Sequence, residues 1–442
     1  MLSNIMLISA TWMIPMSSST PEVLLDHAIA IQNQRIIDIG PQQTLAARYS
    51  SCTQVKLKQH ILLPGLVNAH THAAMNLLRG MADDLPLMEW LSQHIWPAEQ
   101  RWLSEAWVKT GTQLALAEMI RSGTTCFADM YFYPEVVAQV AEQTGMRACL
   151  HSPILEFPSP WANDATNYLD KAASLLATYQ GDPLIRVGLG PHAPYTVADE
   201  TFQKIVRLAE KFDVTIQTHL HETASEVSDG LTQYGQRPIQ RLHRLGVLSE
   251  RLQAVHMTCL TEADIELVAQ TKTRVIHCPD SNLKLASGFC PVARLLAAHI
   301  PVALGTDGAA SNNDLDLMSE MKTAALLAKA VAQDATALPA YQALTMATRM
   351  GAQVLGLDHL IGSLDIGKQA DIIAVDFSEI HHQPVHQPLS QLVYGSNGQA
   401  VSHAWIAGRQ VMRDRSLLTL DINSLHQEAQ LWTEKMREKN AT

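Results

Sequence analysis

Between residues 61 and 307 the chain repeats one pattern, a short apolar run of strand character followed by a longer segment of helical period. The runs fall at 61–69, 124–129, 146–151, 185–190, 214–219, 253–256, 274–277 and 302–307. Amphipathic stretches such as 135–144, 199–212, 261–270 and 314–331 lie between or after them. Strands separated by helices predict a parallel sheet, and eight such units over roughly 250–300 residues predict a closed (β/α)8 TIM barrel.

The two ends of the chain break this pattern. Residues 1–63 hold candidate strands at 5–8, 28–31 and 36–40 with no convincing helical period. Strand signals return after 363, at 367–376 and in a hairpin over 401–411 around Gly408, and residues 422–438 have helical character. The expected architecture is a barrel over 64–362. A small β-sandwich domain flanks it, built from residues 1–63 and 363–442 and carrying a terminal helix.

Bulk properties exclude several classes. Of 442 residues, 47% are hydrophobic, enough for a large core. The net charge of −11 comes without a long basic run, which argues against a nucleic-acid partner and is read as an aid to solubility. No apolar run reaches the ~20 residues needed to span a bilayer. The N-terminal residues lack the basic start of a secretory signal. Six cysteines occur without a C-x-x-C pair, and Cys126, Cys149 and Cys278 sit in apolar runs, as expected of buried reduced thiols. The expectation is a cytoplasmic protein with no membrane partner; self-association stays open.

Polar residues cluster at one end of the barrel scheme. The first run continues into His70 and His72, the fourth into His192, and the fifth ends at His219 with His221 and Glu222 beyond it. The sixth ends at His256 and the eighth at Asp307. Barrel active sites are built at the C-terminal mouth from strand ends, so separate strands deliver these groups to one rim. Residues i and i+2 of a strand share a face, which lets His70 and His72 grip one ion. Three neutral imidazoles and a carboxylate oxygen suit a divalent metal such as zinc and leave a position for water, whose pKa falls toward ~7 there. Glu222, three residues past His219, is within reach as a proton shuttle. His256 is placed to orient or deprotonate the water or to stabilise developing charge. Spacing alone leaves His219 and His221 as alternative ligands, lets His277 reach the rim, and allows Asp307 to be a turn former. His94, His151, His381, His382 and His386 are not expected to be ligands.

These motifs resemble the amidohydrolase superfamily, in its branch of cytosine, chlorotriazine and adenosine-type deaminases. Residues 64–72 (Pro-Gly-Leu-Val-Asn-Ala-His-Thr-His) resemble its first-strand motif, 219–222 its His-x-x-Glu, 305–308 its eighth-strand aspartate and 367–371 its return into the small domain. Within that branch, residues 88–99 and 191–195 resemble the 5′-methylthioadenosine/S-adenosylhomocysteine deaminase family. The resemblance implies that His70, His72, His219 and Asp307 bind one zinc ion per subunit, since no lysine stands at the tip of strand four to bridge a second. It implies that Glu99 holds the ribose hydroxyls of a small nucleoside and that His192 contacts the purine. It further implies that Trp90 forms an apolar wall and that Glu222, His256 and Asp307 carry the catalysis. A loop arginine is expected to receive a homocysteine carboxylate, Arg186 lying inside run four. Guanine or cytosine deaminases and triazine hydrolases share the metal ligands and remain the rival enzymes; a non-catalytic barrel scaffold is the remote one.

Overall fold

The computed structural model describes residues 5–440. The small sheet starts with strands β1 (Ile5–Met13), β2 (Leu24–Gln32), β3 (Arg35–Pro41) and β4 (Thr53–Pro64). The barrel strands follow as β5 (Leu66–Thr71), β6 (Thr124–Asp129), β7 (Arg147–Ile154), β8 (Ile185–Pro191), β9 (Ile216–Leu220), β10 (Leu252–His256), β11 (Arg274–His277) and β12 (Val302–Leu304). The chain then returns through β13 (Ile372–Asp376), β14 (Val401–Ile406), β15 (Arg409–Arg413) and β16 (Ser416–Leu417) to a final helix, Ile422–Asn440.

Strands β5 to β12 lie in sequence order in one eight-stranded sheet, each parallel to its neighbour. The expected helices are present between or after them as Pro134–Thr144, Asp199–Phe212, Glu262–Thr271 and Leu317–Ala332. The sheet closes where β12 leads back to β5. Asn68 Oδ1 accepts from the Thr306 amide (3.0 Å), Asn68 Nδ2 donates to Thr306 Oγ1 (2.8 Å), and the Asp307 amide donates to the His70 carbonyl (3.0 Å). A Cβ on Gly305 would lie 2.9 Å from the Cβ of His70, so only glycine lets the two backbones approach this closely.

Both chain ends build the second sheet, in the order β16-β15-β14-β13-β4-β1-β2-β3, with β1 parallel to β4 and the other pairs antiparallel. Ile8, Ile29, Leu62, Ile372 and Trp405 form a fully buried cluster on it. Two local features differ from the sequence reading. The apolar run 61–69 supplies both sheets, because Pro64-Gly65 ends β4 and the Gly65 amide turns to the Asp371 carbonyl (3.0 Å). A helix, Gln42–Arg48, interrupts the N-terminal strands; it is too short to show a period, and Leu45 is its one buried residue.

A buried ion pair ties the two sheets. Arg147, at the start of β7, donates from Nε to Asp371 Oδ2 (2.9 Å) and from Nη2 to Asp371 Oδ1 (3.0 Å), just before β13. Gln369 and the Pro183 carbonyl satisfy the rest of the guanidinium. The six cysteines are free thiols, and Cys126, Cys149 and Cys278 are buried as expected. Among the described residues no helix is long and apolar enough to cross a membrane.

Candidate active site

The barrel mouth gathers His70, His72 and His219, whose ligand atoms all lie within 4.8 Å of one another. Each ring is oriented by a bond at Nδ1. His70 donates to Gln217 Oε1 (2.7 Å), His72 to the Met130 carbonyl (2.6 Å) and His219 to the His192 carbonyl (2.7 Å). A carbonyl oxygen only accepts, so Nδ1 carries the proton and each Nε2 presents its lone pair inward. Burial, then the neighbouring imidazoles, depress the pKa of His72 and His219 and keep the rings neutral.

Asp307 completes the cluster. Its Oδ1 lies 3.5 Å from His70 Nε2 and 3.3 Å from His72 Nε2, and His219 Nε2 lies 3.3 Å from His70 Nε2. Tetrahedral ligands about 2.0–2.1 Å from one zinc ion stand about 3.3–3.4 Å apart, so the residues fit a metal ion. Ser281 and Ser311 donate to Asp307 Oδ2 (2.7 and 3.0 Å) and leave Oδ1 toward the histidines. Asp307 is also a turn residue, with φ of 61°, and His256 stands at 76°. Non-glycine residues rarely adopt these conformations, which here lie at the rim of the barrel.

Beside the cluster, Glu222 is 6% exposed and accepts from Ser287 Oγ (3.2 Å). Burial, reinforced by the Asp307 charge, pushes its pKa up to about 8, so near neutrality it carries a proton. His256 Nε2 lies 3.7 Å from Glu222 Oε2, and its Nδ1 donates to Asn282 Oδ1 (2.8 Å). Burial keeps this ring neutral, with a lone pair at Nε2.

His72, His219, Glu222, His256 and Asp307 line a cavity of about 400 Å³ together with Trp90, Glu99 and His192. Glu99 accepts from the Tyr131 hydroxyl (2.6 Å), and burial raises its carboxyl to about 7 against that bond. His192 bonds Thr196 Oγ1 (3.1 Å), and burial lowers its pKa to about 3. Trp90 and Glu99 belong to one helical segment in which Leu87–Glu89 and Trp96–Trp102 flank a π-helical stretch, Trp90–Ile95. Pro97 has no amide hydrogen for the Gln93 carbonyl, which breaks the α ladder there. Widened stretches of this kind recur at functional sites, and this one lays Trp90, Leu91 and Ile95 along the cavity.

The choice between His219 and His221 follows from the backbone. His221 has φ of 52°, which breaks the strand alternation and turns its ring to the Cys259 carbonyl (3.1 Å) and the Ile239 amide (3.2 Å). His277 is buried but does not line the cavity, and neither do His94, His151, His381, His382 and His386. The expected loop arginine is not found: among the described residues, no arginine lines the cavity. Tyr131, Ser281, Asn282 and Gln217 escaped the sequence reading. Gln217 carries a usable signal, since it stands two residues before His219 on the same strand face.

A model of the Amidohydrolase family matches residues 61–411. A protein of Saccharophagus degradans named 5-methylthioadenosine/S-adenosylhomocysteine deaminase is 48% identical over 438 residues, 99% of this chain and 98% of that protein. One of the same name from Teredinibacter turnerae is 46% identical over 98% of each chain. A crystal structure described as an adenosine deaminase from Xanthomonas campestris with bound zinc superposes with a TM-score of 0.96, at 47% identity over 99% of both chains. With the barrel, the three oriented imidazoles and relatives matched almost end to end, the chain belongs to the amidohydrolase family.

Proposed function

We propose that this protein is a zinc-dependent hydrolytic deaminase of 6-aminopurine nucleosides. It converts 5′-methylthioadenosine, S-adenosylhomocysteine or both to the inosine-type product and ammonia. One observation carries the reading: a single cavity is lined by His72, His219 and Asp307 of the donor cluster, by a protonated Glu222 and by a second carboxylate, Glu99. The names of the relatives support the same substrate class. His70, His72, His219 and Asp307 would hold one zinc ion per subunit, and when bound the ion would supply a water acidic enough to act as nucleophile near pH 7.

The residues then divide the work. Glu99, braced by Tyr131, accepts hydrogen bonds from the vicinal ribose hydroxyls. His192 meets the purine ring, and Trp90 covers it. As the water oxygen attacks C6, Glu222 gives its proton to N1 and Asp307 takes one from the water. Neutral His256 steadies the oxygen through its inward Nε2. Asp307 passes its proton to the amino group, the C6–N bond breaks and ammonia leaves. The remaining hydroxyl proton returns to Glu222 as the 6-oxopurine forms. The division of the chain at 63/64 and 362/363, and a cytoplasmic setting, belong to the same reading.

The test is an ammonia-release screen of zinc-loaded protein with adenosine derivatives against guanine, cytosine and triazines. Turnover confined to the 6-aminopurine nucleosides is expected. Turnover of a free base or triazine with none of the nucleosides would refute the assignment.

A further inference from the structure

The cavity distinguishes between the two nucleosides named above, an inference that rests on the deaminase reading. Its contacts run outward from the metal end. The Tyr131 ring lies 6.2 Å from that of His72 and its hydroxyl bonds Glu99. Trp96 stands one turn before Glu99 on the same helix, and its ring meets Phe157 at 6.0 Å. With the purine at the metal and the ribose on Glu99, the 5′ substituent reaches the Trp96–Phe157 wall, where Leu87, Ile95 and Leu155 are also cavity residues.

That end of the cavity offers no positive charge. Among the described residues, no lysine or arginine lines the cavity. The cations that flank it in sequence are engaged elsewhere. Arg79 pairs with Glu118, Lys284 with Asp83 (2.6 Å), and the Arg101 guanidinium lies 5.1 Å from the centre of the Trp102 ring. A methylthio group gains by leaving water, and its sulfur packs well on aromatic rings. A homocysteinyl tail brings a carboxylate and an ammonium, each of which resists burial without a counter-ion.

We propose that Trp96 and Phe157 form a charge-free subsite for the 5′ substituent, making the enzyme selective for adenosines with an uncharged 5′-alkylthio tail over S-adenosylhomocysteine. Trp96 and Phe157 are thereby specificity-determining residues.

The experiment compares kcat/KM of the zinc-loaded enzyme for 5′-methylthioadenosine, 5′-propylthioadenosine, S-adenosylhomocysteine and adenosine. The propylthio compound has a lengthened tail without the charges. Both alkylthio compounds are expected on the order of 10–100-fold above S-adenosylhomocysteine. S-adenosylhomocysteine as good as 5′-methylthioadenosine overturns the selectivity and leaves the deaminase reading intact. A propylthio compound as poor as S-adenosylhomocysteine makes size the filter and also overturns it. No ammonia from any of the four overturns the deaminase reading itself. Phe157 is 40% exposed, so Phe157→Arg is compatible with folding. It is expected to shift the ratio of S-adenosylhomocysteine to 5′-methylthioadenosine turnover about tenfold toward the former, chiefly through KM. An unchanged ratio in folded Phe157→Arg and Trp96→Arg proteins removes the tail from this wall.

Discussion

The proposed reaction gives opposite tasks to two carboxyls, half-buried Glu99 and buried Glu222, and their environments separate them. Burial raises the Glu99 carboxyl to about 7, and in the proposed ribose-holding role it would work best as an anion. Below that pH it is protonated and loses acceptor capacity, so KM for 5′-methylthioadenosine should fall as pH rises from 6 to 8. Initial rates across that range check this, and in Glu99→Gln the KM should be higher and flat with pH. Glu222 must instead arrive protonated, which burial secures. Glu222→Gln should lower kcat by about 10²–10⁴-fold with zinc content unchanged by elemental analysis. At this scale the sequence was legible wherever a residue's chemistry was unusual for its place, as with His70, His72 and Asp307 at strand tips. It was silent where a common residue acts by orienting another. Ser281 and Asn282 look like any helix residues until Asp307 and His256 are seen beside them. His221 fits the strand alternation on paper, and only its backbone angle removes it from the cluster.

Among the elements, the closing seam between β12 and β5 does most to place the site. Asn68 holds the Thr306 backbone, and the next amide, of Asp307, bonds the His70 carbonyl. Asn68→Ala leaves the buried Thr306 amide unpaired at about 1–3 kcal/mol, and it should also weaken zinc binding by loosening Asp307 against His70. Urea unfolding and zinc titration check the two effects, and an unaltered zinc affinity would separate the seam from the site. The strands were legible because their apolar runs are short and regularly spaced. The π-helical stretch was not, because its apolar residues follow neither a strand nor an α-helical period. The split at Gly65 was hidden for a related reason: both flanking strands are apolar, so no change in pattern marks the crossing between sheets.

Taken whole, the molecule is two sheets that share one apolar core, with Ile373, Val401 and Ile406 of the small sheet in the same buried cluster as Phe127 and Ala148 of the barrel, and the buried Arg147–Asp371 ion pair crosses between them. Removing the cation leaves Asp371 buried without a counter-charge, although the Ala407 amide (2.8 Å) still donates to it. Arg147→Ala should cost about 3–5 kcal/mol, read as a lowered urea midpoint, whereas Arg147→Met with Asp371→Leu should recover part of the loss. The barrel was readable from repetition, and the two-ended sheet from strand signals at both termini. This clamp was not readable, since Arg147 and Asp371 stand far apart in the chain.

The spread of the histidine cluster along the chain also bears on how the protein is made. Its donors lie at residues 70, 72, 219 and 307, and the last of them arrives with the strand that closes the barrel. During translation the three imidazoles emerge long before the carboxylate, and until β12 docks the free edge of β5 is an open template for pairing with other chains. The fourth corner of the proposed metal cage and the capping of that edge are one event, so capture of an ion by the full donor set would mark a chain whose barrel has shut.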